Sequence, residues 1–201
     1  MKISMARWAG LLVFVSLPIY AQVALDQAPL GSAREKVERL HDSLIESMQQ
    51  AEQANREALL SPVVAAVFDV NNIARISIGR TWRTISAEQQ QALVEDLTAL
   101  IVATYADRFD AYNDQQFLTR EVVAVRTGPV VKTQLIRIDD EPVTLDYYLR
   151  DGGIFNVVAD GVSDLSLRRA DYNSIIKQQG FEALLQHIAD KIDEARNPPP
   201  P

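Results

Sequence analysis

Between residues 143 and 150 the chain alternates without a break: Val143, Leu145, Tyr147 and Leu149 fall on one side, and Thr144, Asp146, Tyr148 and Arg150 on the other. A period of two marks a strand with one apolar face. The same period runs from Phe117 to about residue 160, and Thr127-Gly128-Pro129, Asp139-Asp140 and Asp151-Gly152-Gly153 supply turns within it. These turns cut the stretch into four strands. Loops this short make neighbouring strands antiparallel, so the pattern predicts a twisted four-stranded meander with one face free for packing.

Elsewhere the period is helical. Ser32 and Glu35 match a capping box ahead of Val37, Leu40, Leu44, Ile45 and Met48, which predicts one or two amphipathic helices over 33 to about 57. Ser61-Pro62 predicts the start of a short apolar helix through Val63, Val64, Val67 and Phe68. Asn71-Asn72 interrupts it, and Ile73, Ala74, Ile76 and Ile78 lead to a stop at Gly79. A second capping box, Ser86 and Gln89, opens what the spacing predicts as the longest helix, 87–112. After Asp164, two more helical stripes flank Gly180: Tyr172, Ile175 and Ile176, then Phe181, Leu184, Leu185, Ile188 and Ile192. Helices, then four strands, then helices predict an α+β fold, a curved antiparallel sheet covered by several helices.

Composition changes this picture at the N-terminus. Lys2 and Arg7 precede an apolar run from Trp8 to Tyr20, broken by Pro18 and followed by Ala21. The run is too short to cross a bilayer and its positive flank lies on the N-terminal side, so residues 1–21 are predicted to be a secretory signal peptide, with Ala24 as the alternative cleavage point. That leaves one domain, 22–197, and a solvated proline tail, 198–201. The chain has no cysteine, which excludes a disulfide framework, a zinc-thiolate site, a thiol nucleophile and a lipoprotein anchor. Its net charge of -7 becomes -9 without Lys2 and Arg7. So acidic a chain is not expected to bind nucleic acid, and any contact with a membrane should be brief or mediated by a partner.

The inventory for catalysis is thin. His41 borders the apolar face of the first helix, where a local hydrogen bond is expected, and His187 lies beside Leu184 and Ile188. No HExxH, GxSxG, GxGxxG or Walker pattern occurs. Asp160-Gly161-Val162-Ser163-Asp164 resembles a hydrolytic or metal-binding loop in composition, but no histidine is near it. It reads as a strand end followed by a helix cap. Arg168-Arg169 can pair with phosphate or with protein carboxylates. No catalytic residue, metal ligand or cofactor is predicted, and the chain is read as a non-enzyme.

Two separated segments together resemble a known family. Phe68-Asp69-Val70-Asn71-Asn72-Ile73-Ala74-Arg75, then Gly79-Arg80-Thr81-Trp82-Arg83 and Ser86-Ala87-Glu88-Gln89-Gln90, are similar to the signature helices of the periplasmic phospholipid-binding MlaC, or toluene-tolerance, family. Val157-Val158-Ala159-Asp160-Gly161-Val162-Ser163, with Tyr172, Gly180-Phe181 and Leu184, resembles that family's closing segment. The run from Gly161 to Tyr172 is most similar to the hopanoid-associated HpnM branch. Many relatives carry a tryptophan just after the last hairpin turn, where this chain has Gly152-Gly153.

The resemblance, over about residues 33–192, implies an NTF2-like curved sheet with a helical cover around an apolar pocket. It implies a soluble, monomeric periplasmic carrier that shuttles phospholipid or a hopanoid-type lipid. Its implied partner is a membrane lipid-transport complex, an MCE-type ABC transporter or another hopanoid or lipid transporter. Pocket residues would then be Val67, Ile73, Ile76, Ile78, Trp82, Leu97, Ile101 and Tyr105 on helices, and Val143, Leu145, Tyr147, Leu149, Phe155 and Val157 on strands. By residue type each fits an ordinary core equally well. An NTF2-like enzyme acting on an apolar substrate, and a structural envelope protein with a filled core, stand as alternatives.

Overall fold

The alternating stretch is the third strand of an antiparallel sheet in the computed structural model, which describes residues 19–138, 140–151 and 153–198. Strands β1 (Gln116–Val125), β2 (Gly128–Ile136), β3 (Val143–Arg150), β4 (Gly153–Ala159) and β5 (Val162–Ser163) pair in chain order. The register places like faces together: Tyr147 stands between Val131 and Val157, and Leu145 between Thr133 and Ala159. Bulges at Thr119/Glu121 and at Tyr148/Leu149 bend the sheet.

The four predicted strands are present, and the sheet has a fifth. At Asp160-Gly161 both residues take positive φ, 47° and 81°, the backbone of a tight two-residue hairpin. This turn folds Val162 and Ser163 back onto Val158 and Ala159. Two residues are too few to show a period.

Among the described residues six helices cover the sheet: α1 (Ile19–Ser47), α2 (Gln53–Val67), α3 (Val70–Ile78), α4 (Ala87–Arg108), α5 (Asp164–Gln179) and α6 (Phe181–Arg196), with a 3-10 helix, Gly79–Arg83, after α3. The predicted leader lies outside the described residues as far as residue 18, as does the tail from 199. Several predicted boundaries move. Ser32 lies inside α1, so it caps nothing. Pro62 likewise lies within α2 rather than at its start. A proline there removes one backbone donor, but its ring faces solvent while Leu60, Val63, Val64 and Val67 hold the helix in the core. α3 begins before Asn71-Asn72 because the Asp69 carboxylate accepts from the Asn72 N–H at 3.0 Å. The longest described helix is α1, with 29 residues against 22 in α4.

Other signals hold. Ser86 and Gln89 close a reciprocal capping box, Ser163 caps α5, and Gly79 and Gly180 end helices with φ of 57° and 91°. One contiguous core joins the layers through Val37, Leu40 and Leu44 of α1, Leu93 and Leu97 of α4, Leu184 and Ile188 of α6, and Val131, Tyr147, Leu149 and Ile154 of the sheet. α1 lies across β1 and β2, whereas α3 and α5 lie against β4. No described helix is long and apolar enough to cross a membrane.

A buried arginine fixes one corner of the helical layer. Arg56 Nε donates to the Ala106 carbonyl at 2.7 Å, and Nη1 donates to the carbonyls of Gln50 and Ala51 at 2.9 and 2.8 Å. These are carbonyls that the end of α4 and the α1–α2 connection leave without helical partners.

Candidate functional site

Aromatic side chains from both layers converge in one row. Phe68, at the end of α2, lies 6.0 Å from Tyr105 of α4, ring centre to ring centre. Tyr105 is 5.9 Å from Phe109, Phe109 is 5.8 Å from Phe117 of β1, and Phe117 stacks on His41 of α1 at 4.2 Å. His41 meets Tyr147 of β3 edge-on at 5.3 Å. Phe68, Tyr105, Phe109 and Phe117 are half-buried, whereas His41 and Tyr147 are buried. The row therefore leads from half-buried aromatic residues to a buried inner end between helices and sheet.

That inner end is polar. His41 Nε2 lies 3.0 Å from the Tyr147 hydroxyl. Burial lowers the His41 pKa to about 3, so the ring is neutral at ordinary pH. Burial also pushes Tyr147 well above the usual phenol range, so its hydroxyl keeps its proton and the two neutral groups share one hydrogen bond. The expected boundary histidine with a local hydrogen bond is corrected on both counts: His41 is 4% exposed and its partner is 106 positions away. Toward the opposite end of the row, burial raises Tyr105 above its ordinary pKa; Asp164 adds to that rise, and Arg168 and Arg108 oppose it. Arg168 Nε donates to Asp164 at 2.7 Å and Nη1 donates to the Tyr172 hydroxyl at 3.3 Å.

The fourteen expected pocket residues are largely brought together. Val67, Ile73, Ile78, Leu97, Ile101, Tyr147, Leu149 and Phe155 are buried in the common core. Ile76, Trp82, Tyr105, Leu145 and Val157 pack half-buried against it. Val143 is half-buried and stands outside that cluster. Only Tyr105 and Tyr147 of the set belong to the aromatic row. Two surface grooves, of about 600 and 670 Å3, are lined by other residues. Phe68, Phe109, Phe117 and His41 were not expected at the site. The i, i+4 spacing of Tyr105 and Phe109 is a sequence signal for part of the row, but nothing in sequence places Phe117 beside His41.

The loop around Gly161 is structural. Asp160 Oδ1 accepts from the Thr144 N–H at 2.8 Å and from its hydroxyl at 3.0 Å, tying the β4–β5 turn to β3. The Ser163 hydroxyl donates to Asn156 Oδ1 and accepts from the Ser166 N–H, which starts α5. Asp164 is engaged by Arg168.

Against this geometry stand the comparisons with known proteins. The fold is similar to that of the phospholipid-binding protein from Ralstonia solanacearum, solved in complex with a phospholipid: TM-score 0.70 at 19% identity, covering 83% of this chain and 98% of that one. A comparison with curated proteins finds no match. Residues 35–190 match the family described as MlaC protein, a stretch that runs from within α1 through all five strands into α6. The chain belongs to the MlaC family.

Proposed function

We propose that this protein is a non-catalytic periplasmic carrier that holds a phospholipid or hopanoid-type lipid by its apolar part and passes it to or from a membrane lipid-transport complex of the MCE-type ABC class or a related lipid transporter. The observation that carries this reading is the half-buried aromatic row between helices and sheet. Phe68, Tyr105, Phe109 and Phe117 are only half-buried beside an otherwise packed core, and partly exposed aromatic residues grouped together attract apolar ligands. Membership of the MlaC family and the fold shared with a phospholipid-complexed protein support lipid as that ligand.

The task requires no chemistry at the ligand. Bringing an acyl chain of ~15 methylenes into water costs on the order of 12 kcal/mol, so spontaneous crossing between membranes is very slow. Aromatic and aliphatic surface that shields the chain removes most of that barrier. In this reading the helices part from the sheet along the row, and residues such as Trp82, Ile76, Leu145 and Val157, already half-buried, extend the lipid surface. Val143, outside the core cluster, would lie toward its edge.

Native mass spectrometry of protein purified from an envelope fraction tests the proposal. One lipid per chain is expected, and its identity separates phospholipid from a hopanoid-type lipid. The absence of any co-purifying lipid, together with failure to take up labelled phospholipid from vesicles, would overturn it. Transfer of that label to membranes with and without an MCE-type transporter tests the partner.

A further inference from the structure

Three neighbouring elements reverse the charge of the chain. α3, the 3-10 helix and α5 hold Arg75, Arg80, Arg83, Arg168, Arg169 and Lys177 against only Asp164 and Asp171, in a chain of net charge -7. Both carboxylates are already engaged: Asp164 accepts from Arg168 at 2.7 Å, and Asp171 faces His187 Nε2 at 3.2 Å. Among the described residues Arg80 and Arg169 have no carboxylate partner. Both line one surface groove of about 600 Å3, whose walls add Thr81, Ser166 and Asn173. The two walls are tied together, since Asn173 Nδ2 donates to the Ser77 carbonyl at 2.7 Å and to the Arg169 carbonyl at 2.6 Å.

Exposed apolar side chains stand on the elements next to this groove. Leu167 is 60% exposed and sits three residues, less than one helical turn, before Ala170 of the groove wall. Val162 of β5 is 54% exposed. The corner that carries both is pinned from the sheet, because Asn156 Oδ1 accepts from the Ser163 hydroxyl at 3.0 Å and from the Leu165 N–H at 3.1 Å. Uncompensated guanidinium groups beside rigidly held apolar side chains match the two chemical layers of a lipid interface, phosphate outside and acyl carbon beneath.

We propose that this corner, formed by β5, the first half of α5 and the 3-10 helix, is the surface that rests on an anionic membrane. Arg80 and Arg169 meet lipid phosphates from the groove, and Leu167 and Val162 enter the headgroup layer. The remaining acidic surface is repelled by the same membrane, so the contact has one orientation and is short-lived. Arg80, Arg169, Leu167 and Val162 are not members of the aromatic row, and their contact with a membrane does not require that the row hold lipid.

Flotation of the purified protein with phosphatidylglycerol–phosphatidylethanolamine vesicles, and separately with phosphatidylcholine vesicles, tests the assignment. At low salt, binding to the anionic vesicles is expected to exceed binding to the neutral ones by about tenfold and to fall as salt rises. Arg80→Glu/Arg169→Glu should lower binding to the neutral-vesicle level, and Leu167→Ser should lower it about threefold. Both variants should keep wild-type lipid content and melting temperature, which judges the carrier function separately. Equal flotation on both vesicle types, or flotation indifferent to the double charge reversal, overturns the proposal. So does capture of an acidic envelope protein through Arg80 and Arg169 by a chain that does not float, which would give this face to a protein partner.

Discussion

His41 Nε2 and the Tyr147 hydroxyl lie 3.0 Å apart, joining α1 to β3 across 106 positions in a buried, otherwise apolar setting. Burial holds the imidazole in its neutral form, so the folded chain depends on His41 staying unprotonated.

That dependence predicts an acid-sensitive window. The unfolded chain takes up a proton at His41 near pH 6.5, whereas the folded chain resists until about pH 3. The unfolded state therefore binds more protons between these values, and stability present above pH 6.5 is lost as pH falls toward 3, on the order of 3–4 kcal/mol from this group. His41→Gln keeps a hydrogen-bond partner for Tyr147 but cannot titrate. Denaturant titrations at pH 7 and pH 4 should show a clearly smaller acid loss in the variant; equal losses would place the acid sensitivity elsewhere.

Residues of the row and residues of the core should separate by readout. Leu149 is 2% exposed, so Leu149→Ala is expected to cost about 2–5 kcal/mol. Phe109 is half-buried at the end of α4, so Phe109→Ala should cost less, about 1–2 kcal/mol, while lowering the amount of co-purified lipid. Calorimetry and lipid extraction on the same preparations distinguish the two effects. Lipid content untouched by Phe109→Ala and Phe117→Ala would detach the row from ligand binding.

Gly153 allows β4 to approach the end of α2. A Cβ at this position would stand 2.8 Å from Asp69 Cβ and 2.9 Å from Asp69 N, the nitrogen that donates to the Ile154 carbonyl at 2.9 Å. Gly153→Ala should therefore part the Phe68–Ile154 bridge and cost about 2–4 kcal/mol, and a tryptophan could not be seated there without moving Asp69. At Gly161, where φ is 81° and the space around a Cβ is open, alanine should cost only about 1 kcal/mol of backbone strain. Thermal melts of the two variants test the ranking.

Arg56 gives a fourth test. Replacing it with methionine keeps the apolar stem but leaves the Gln50, Ala51 and Ala106 carbonyls without the donors they now have. A loss of about 2–4 kcal/mol is expected, with lysine recovering only part of it because one ammonium cannot span the three sites. Chemical denaturation of the methionine and lysine variants measures both.

Much of this architecture follows from sequence because it depends on local physics. Alternation along Val143 to Leu149 defines a strand whatever lies beneath it, and the capping groups of Ser86, Gln89 and Ser163 act within one turn of their own backbone. The four main strands and both C-terminal helices were legible on those terms, and the family relationship through the resemblance of two separated motifs. Where local signals failed, tertiary burial outweighed them. Pro62 stays in α2 because Leu60, Val63 and Val64 are held in the core, and Ser32 lies within α1, where no cap is needed.

The aromatic row and the basic groove depend on the tertiary structure alone. Alternation and helical spacing specify which face of an element is buried, not what it meets. Phe117 touches His41 because α1 crosses β1 and β2, and Arg80 shares a groove with Arg169 because α3 packs on α5. Such pairings are set by how the layers dock, through contacts many residues apart in the chain. Sequence by itself determined which elements form and which residues are apolar enough for a lipid site. Packing between the layers decided that Leu149 and Ile78 are sealed in the core while Phe109 and Phe117 are only half-buried.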